Sequence, residues 1–273
     1  MPSRRDSPKK RLPQSAGRPL SLRVAVGAVV ALATVIGVLL ISPPGEALRG
    51  SISGSGDSTL RAAIVDQLSL SVPNPDFAAS AIEKLEKAGY TVDYYPGKMV
   101  TVDLYRNLPS HDYDLIVMRI HAGLVTEDGM PTDDVSLFTG EDYSETKYVE
   151  EQATGLVGRS VYYEGADPLF GIGPDFVNYA MRGRFDNTLI VMMGCDGLKS
   201  QKMAQAFIDR GAESFVSWSQ TVSAEHTDAS TRRLLDRLLE DQLPLQDAVR
   251  ETAAELGPDP YYGAELRLLT AQG

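Results

Sequence analysis

The chain has few of the residues that cross-link a fold or bind a metal ion. Its 273 residues include a single cysteine, Cys195, and three histidines. One cysteine cannot form a disulfide within the chain, so the fold must rest on its hydrophobic core. A zinc site needs three or four closely spaced ligands, which one cysteine and three scattered histidines do not provide. We therefore expect no metal site.

Two common cofactor and catalytic motifs are also missing. The segment Gly171-Ile172-Gly173 lacks the third glycine of a dinucleotide-binding loop, and no strong strand precedes it. The chain contains no Gly-x-Ser-x-Gly sequence, the nucleophile turn of the α/β-hydrolases. We therefore expect neither a cofactor nor a serine nucleophile of that kind.

Basic residues are scarce beyond the N-terminal segment. Residues 1–49 carry eight basic and two acidic side chains, and residues 50–273 carry the remaining 18 basic and 35 acidic ones, a net charge of −17. Such an acidic surface repels phosphate groups, which excludes nucleic acid as a partner and disfavours docking on anionic lipid. It would attract basic peptides or cations, although an acidic surface also serves solubility alone.

One apolar run predicts a membrane anchor. Val24 to Ile41 is an uninterrupted stretch of 18 apolar, Gly and Thr residues, which is just long enough to span a bilayer. Seven basic residues and one acid precede it, so the positive-inside rule predicts a cytoplasmic tail (1–23), a transmembrane helix (24–41) and an extracytoplasmic remainder at the cell membrane. A cleaved signal peptide is the alternative, but its apolar core would be shorter. Residues 42–59 are predicted as a flexible linker to one domain, 60–273.

Strands and helices alternate through this domain. Ala62–Leu70 is predicted as a strand, Asn74 and Pro75 as the start of a helix that Gly89 ends, and Thr91–Tyr95 as the next strand. Further strands are predicted at Asp114–Ile120, Leu124–Thr126, Val135–Phe138, Val161–Tyr163, Leu189–Met193, Ser214–Trp218 and Leu266–Leu269. Further helices are predicted at Asp103–Leu108, Phe176–Met181, Ser200–Arg210, Ala224–Leu239 and Leu245–Leu256. This order predicts an α/β fold with a mainly parallel sheet flanked by helices.

Two of the predicted strands end in residues suited to catalysis. The most apolar strand of the domain ends in Gly194-Cys195-Asp196-Gly197, and the strand Asp114–Ile120 ends in His121-Ala122-Gly123. Open α/β sheets bind ligands at the carboxyl edge, where parallel strands end. The topology therefore predicts a thiol and an imidazole at one edge of the sheet.

These residue types fit cysteine-dependent hydrolysis. Cys195 would be the nucleophile, with a pKa lowered by helix N-terminal amides and by a neighbouring imidazole, and His121 would be the general base. The backbone N–H groups of Cys195 and Gly123 would bind the oxyanion. Asp196 could face a basic side chain of the substrate. The alternatives are a buried structural cysteine, a hydrogen-bonded histidine at a strand end, and His226 as the base.

The segment NTLIVMMGCDGLKSQKMAQAFIDRGAESFVSWSQTV (187–222) resembles the caspase-like cysteine peptidases, which include the caspase, gingipain, clostripain and CHAT-domain branches. The likeness rests on a strand ending in cysteine, then a helix, a Gly-Ala turn and a further strand. It implies a three-layer caspase-like fold, with Cys195 as nucleophile, His121 as base and Gly123 as oxyanion donor. It also implies that Trp218, Ser219 and Gln220 form the wall of a pocket for a peptide or protein substrate.

One departure from that family leaves two functions open. The family's histidine is usually followed directly by glycine, whereas Ala122 separates His121 from Gly123 here. The first function is a membrane-anchored, outward-facing endopeptidase with a Cys-His dyad. The second is a catalytically inactive domain of the same fold that binds peptides or a partner protein.

Overall fold

The computed structural model of the protein describes residues 59–127 and 130–271. The predicted tail (1–23), the predicted transmembrane helix (24–41) and nearly all of the predicted linker lie outside these residues and stay predictions. Among the described residues, no helix is both long and apolar enough to cross a bilayer.

A six-stranded sheet forms the centre of the domain. In chain order its strands are β1 (Leu60–Asp66), β2 (Tyr90–Pro96), β3 (Leu115–Arg119), β8 (Thr188–Met192), β9 (Ala212–Trp218) and β10 (Leu266–Thr270). They are arranged as β10-β9-β8-β3-β1-β2, all parallel except β10, which runs antiparallel to β9. The central strands β3 and β8 are buried along their whole length, as expected of parallel strands covered on both faces. The predicted α/β class with a mainly parallel sheet is confirmed.

A second sheet of four antiparallel strands follows β3. It consists of β4 (Ala122–Glu127), β5 (Met130–Asp142), β6 (Val157–Ser160) and β7 (Leu169–Ile172), in the order β4-β5-β7-β6. The hairpin predicted from Leu124–Thr126 and Val135–Phe138 is confirmed, with longer strands. The strand predicted at Val161–Tyr163 is wrong, because pairing with β7 ends at Ser160 and the chain then turns. Strand β7 was not predicted, since four residues are too few to show a period.

Six α-helices of the described residues accompany the two sheets. They are α1 (Pro75–Lys87), α2 (Val102–Asn107), α3 (Val149–Ala153), α4 (Lys202–Asp209), α5 (Ala224–Leu235) and α6 (Leu245–Leu256). Helix α1 begins as predicted, with the Asn74 side chain accepting a hydrogen bond from the Phe77 N–H at 3.0 Å and proline in the first turn. Five short turns of 3-10 or π-helix complete the described elements. The 3-10 turns follow β1, β2 and α2 and are Gln67–Leu70, Gly97–Met99 and Leu108–Ser110. The π-helical turns are Phe176–Ala180 and, directly after α5, Asp236–Glu240.

The six-stranded sheet is covered on both faces. Apolar side chains of α1, α5 and α6, such as Phe77, Leu234 and Val249, pack on one face. Side chains of α2, α4 and the second sheet, such as Tyr105 and Phe207, pack on the other. The loops that follow β3 and β8 lie at the carboxyl edge between these two layers, because the two strands are parallel neighbours.

Candidate active site

The loop after β8 lies against the loop after β3. Strand pairing continues past the end of β8, where the Met193 N–H donates to the Met118 carbonyl at 2.8 Å. A Cβ at Gly194 would lie 2.7 Å from the Ile120 carbonyl oxygen and 3.1 Å from the Ala122 Cβ, so a larger residue would push the two loops apart. Glycine thus allows the residues next to Cys195 to contact those next to His121.

The Cys195 thiol is directed toward β9 and the loop that follows it. Its Sγ donates to the Val222 carbonyl at 3.7 Å, and the side chain packs against Trp218, Val222 and Ala264. Burial raises the pKa of the thiol, and the negative charges of Asp196 and Asp259 raise it further. The predicted lowering of this pKa is wrong, because burial and the two carboxylates outweigh the hydrogen bond to Val222, and α4 begins only at Lys202, seven residues after the thiol.

The His121 imidazole is directed the other way, toward the loop after β1. Its Nε2 shares a hydrogen bond with the Ser71 hydroxyl at 2.8 Å, and its backbone N–H donates to the Gln67 side-chain carbonyl at 2.9 Å. The ring lies 4.5 Å from the ring of Tyr162 and 6.0 Å from that of Phe138, centroid to centroid. Burial lowers the pKa of His121 to about 4, and the nearby Arg119 charge contributes to the lowering.

These contacts separate the two candidate catalytic groups. In the order β1-β3-β8-β9, His121 follows β3 and leans toward β1, whereas Cys195 follows β8 and leans toward β9. Within the described part of the chain, no hydrogen bond joins them, and none involves His121 Nδ1. With one pKa near 4 and the other above its usual range, both groups are neutral at pH 7. The dyad therefore stays a prediction.

Asp196 is a buried acid in a strained backbone conformation. Its φ is 61° and its exposed fraction is 6%. Its Oδ1 has no hydrogen-bond partner among the described residues, and the Lys199 ammonium lies 3.6 Å from it. A buried carboxylate without a hydrogen bond is costly, and the ion pair with Lys199 offsets part of this cost. It does not cap α4, whose N-cap is Gln201.

The predicted pocket wall is adjacent to Cys195 and Asp196. The Asp196 N–H donates to the Gln220 carbonyl at 3.2 Å, which brings the two segments together. Trp218 is 1% exposed and its Nε1 donates to the Thr227 hydroxyl, so it supports the wall from behind. The Ser219 hydroxyl accepts a hydrogen bond from the Glu265 N–H at 3.0 Å, which holds the loop after β9 against the residue before β10.

The two predicted oxyanion donors differ in their surroundings. Gly123 lies within β4 and pairs with Ser136 of β5, so its backbone belongs to the second sheet rather than to a free turn. The Cys195 N–H donates to no other backbone group of the described residues, but it lies against its own Sγ, which partly offsets the rise in the pKa of the thiol. His226, the alternative base, packs against Trp218 with ring centroids 5.2 Å apart.

A buried ion cluster supports the carboxyl edge. Arg119, the last residue of β3, is fully buried and donates to Asp66 at 3.0 Å and to Asp228 of α5 at 2.8 and 2.9 Å. Its Nη2 also donates to the Val72 carbonyl at 2.9 Å. Burial alone would lower the pKa of Arg119, but the bonds and charges of Asp228 and Asp66 raise it above its usual range. The cluster ties β1, β3 and α5 together two residues before His121.

Several residues of this site were missed from the sequence. They are Gln67, Ser71, Tyr162, Val222 and Asp259. Gln67 begins the short helical turn after β1, and the other four lie in connections between regular elements, where no period marks a residue as facing a site. Among the described residues, no group of three His, Cys, Asp or Glu side chains could hold a metal ion.

Comparison of the chain with models of known protein families gave no match, and comparison with the sequences of curated proteins gave none.

Proposed function

We propose that the protein is a membrane-anchored, outward-facing cysteine endopeptidase of the caspase-like kind, with Cys195 as nucleophile and His121 as general base. One observation carries the proposal. Strands β3 and β8 are parallel neighbours in the register Met118 to Met192, so the residues that follow them occupy one edge of the sheet. The order of elements after Cys195 adds support, since α4, the turn at Gly211-Ala212 and β9 follow as the resemblance implies.

The proposed reaction begins from neutral groups. His121 Nδ1 takes the proton of the Cys195 thiol as Sγ attacks the carbonyl carbon of the substrate. The backbone N–H groups of Cys195 and Gly123 bind the negative oxygen that forms. The imidazolium then gives its proton to the leaving amine, the C–N bond breaks, and a thioester remains. Water, deprotonated by His121, hydrolyses the thioester and restores the thiol.

Substrate binding is assigned to the segments on either side of the thiol. Asp196 would pair with a basic side chain at the cleaved bond, which would replace the half-exposed Lys199 ammonium now 3.6 Å from Oδ1 and form the hydrogen bond that Oδ1 lacks within the described residues. Ser219 and Gln220 would contact the substrate backbone, with Trp218 behind them. The apolar run 24–41 would hold the domain at the outer face of the cell membrane.

A second function is favoured by the hydrogen bonds that occupy the two groups. Cys195 bonds to Val222 and His121 bonds to Ser71, and the pKa of the thiol is raised. An inactive domain that binds peptides or a partner protein at this edge would need no movement of either side chain. An active enzyme needs the Cys195–Val222 bond to break and the thiol to approach His121 Nδ1, although the bond between Ser71 and Nε2 could persist.

The rate of thiol alkylation and the cleavage of peptides separate these functions. We expect the full-length protein to cleave a peptide library and to react with a peptidyl chloromethyl ketone faster than a free thiol does at pH 7. Cys195→Ala should abolish cleavage, and His121→Asn should lower it by roughly 10²- to 10⁴-fold. His226→Asn is the matched control and should keep the activity.

Two outcomes would reject the endopeptidase. One is slow alkylation that His121→Asn does not change, combined with no cleavage of any library peptide. The other is loss of activity in the His226 variant with full activity in the His121 variant. Binding of peptides without cleavage would favour the second function.

A further inference from the structure

A short connection near Cys195 presents two tyrosines to solvent. The tyrosine loop, residues 259–264, joins α6 to β10 and contains Asp259-Pro260-Tyr261-Tyr262-Gly263-Ala264. Tyr261 is 78% exposed and Tyr262 is 53% exposed, and their ring centroids lie 6.5 Å apart. Large exposed aromatic side chains have a high capacity for binding, because both ring faces lose water on contact.

The backbone of this loop is held by a buried carboxylate. Asp259 is 2% exposed, and its Oδ1 accepts the N–H groups of Tyr261 at 2.9 Å and Tyr262 at 2.7 Å. Its Oδ2 accepts the Ser223 N–H at 2.9 Å and the Ser223 hydroxyl at 2.6 Å. Two backbone bonds, from Asp259 to Ala264 and from Gly263 to Asp259, close the loop. The tyrosines are therefore presented on a fixed frame.

The same loop is continuous with the candidate active site. Ala264 belongs, with Trp218 and Val222, to the apolar cluster against which Cys195 packs, and the Gln220 side-chain amide donates to the Tyr262 carbonyl. Gln220 also accepts the Asp196 N–H through its own carbonyl. A polypeptide held at Cys195 and Gln220 would thus lie next to the backbone of the tyrosine loop, whose two side chains are exposed.

The charge of the domain indicates what these rings bind. Residues 50–273 carry a net charge of −17, and the nearby Asp259 carboxylate is held ionised by its hydrogen bonds, whereas the Asp196 carboxylate is paired with the Lys199 ammonium at 3.6 Å. The negative face of a tyrosine ring attracts a guanidinium or ammonium group, most strongly where the surrounding field is also negative. An acidic or neutral side chain would gain less from the same position.

We propose that Tyr261 and Tyr262 form a cation-binding platform that holds an arginine or lysine side chain of the substrate polypeptide beside Cys195. The proposal rests on the proposed function for the identity of the substrate. It assigns a specificity role to a loop 64 residues or more after Cys195 in the chain. Binding, however, does not require that the thiol be active.

Binding is measured with full-length protein carrying Cys195→Ala, which removes turnover. The probes are fluorescein-labelled peptides of alternating glycine and arginine, and the same peptides with citrulline, the uncharged analogue of arginine, measured at physiological ionic strength. We expect the arginine probe to bind more tightly than the citrulline probe. Tyr261→Leu with Tyr262→Leu, which keeps apolar area but removes the ring faces, should weaken binding of the arginine probe about five- to tenfold.

Controls make each outcome decisive. Tyr179→Leu removes a ring that is 76% exposed on another part of the described surface and should leave binding unchanged. Tyr261→Phe with Tyr262→Phe should bind nearly as the parent does, because the ring faces remain. Equal binding of the two probes, or equal losses in the Tyr179 and double-Leu variants, would overturn the proposal.

The failure of the proposed function would be seen separately. If the protein with an intact Cys195 binds the arginine probe but does not cleave it or any other peptide, the platform is upheld and the endopeptidase is rejected. If cleavage occurs and the double-Leu variant cleaves the arginine and citrulline peptides as the parent does, the platform is rejected and the endopeptidase is upheld.

Discussion

Replacing Arg119 tests whether the buried ion cluster holds the carboxyl edge of the sheet together. Arg119→Met keeps the apolar stem of the side chain and removes the guanidinium. Two carboxylates, Asp66 at 1% and Asp228 at 5% exposure, would then be buried without their cation. The remaining donors to them are neutral, the Tyr94 hydroxyl, the Asn74 amide and a backbone N–H.

The size of the effect follows from this burial. Removing one partner of a buried ion pair costs about 3–5 kcal/mol, because the remaining charge is left in a medium of low polarity. For a domain of this size, 1 kcal/mol corresponds to roughly 2–4 °C in the midpoint of thermal unfolding. We therefore expect Arg119→Met to lower the midpoint by about 6–20 °C, measured by calorimetry or circular dichroism.

A matched surface pair provides the control. Arg267 donates to Glu265 at 2.9 Å, a distance close to those in the cluster, but both side chains are more than half exposed. Arg267→Met should therefore cost less than about 1 kcal/mol. Adding Asp66→Asn and Asp228→Asn to Arg119→Met should restore part of the stability, since the unpaired charges are gone. A loss in Arg119→Met no larger than in Arg267→Met, or no recovery in the triple variant, would refute this reasoning.

Two other predictions concern the side chains around the candidate site. Ser71→Ala removes the hydroxyl bonded to His121 Nε2. We therefore expect a change in the tautomer populations of the imidazole and a loss of less than about 1 kcal/mol in the free energy of unfolding. Unchanged ¹⁵N chemical shifts of the His121 ring would contradict this expectation. Asp259 is 2% exposed, and burial alone would raise the pKa of its carboxyl group. Hydrogen bonds from Ser223, Tyr262 and Tyr261 outweigh this effect and lower the pKa from 3.8 to about 2. The ionised form therefore stabilises the folded domain above pH 4, and this stability disappears as the pH falls from 4 to 2. Urea unfolding should show that the parent loses roughly 2 kcal/mol more than Asp259→Asn between pH 5 and pH 2, and equal losses in the two proteins would argue against this role.

The long, periodic elements were predictable from the sequence. Helix α6 has its predicted ends at Leu245 and Leu256, and α1 begins at the predicted Asn74 cap. Strand β8 is a fully buried run, as its composition indicated. These elements have strong local signals, either a helical period or a continuous apolar stretch between glycines. The short strands β6 and β7 have neither, and their positions depend on pairing with each other and with β5.

The sequence by itself determined that Cys195 and His121 follow buried strands, and hence that both lie at a sheet edge where ligands bind. The direction of each side chain was decided by tertiary structure. Cys195 turns toward Val222 and His121 toward Ser71, and both partners come from loops that follow other strands. The protonation states depend mainly on the same packing, because burial is the largest cause of the raised pKa of Cys195 and of the lowered pKa of His121, while the charges of the sequence neighbours Asp196 and Arg119 add to it. Local sequence sets where a strand ends, whereas the environment of a side chain is the sum of the elements packed around it.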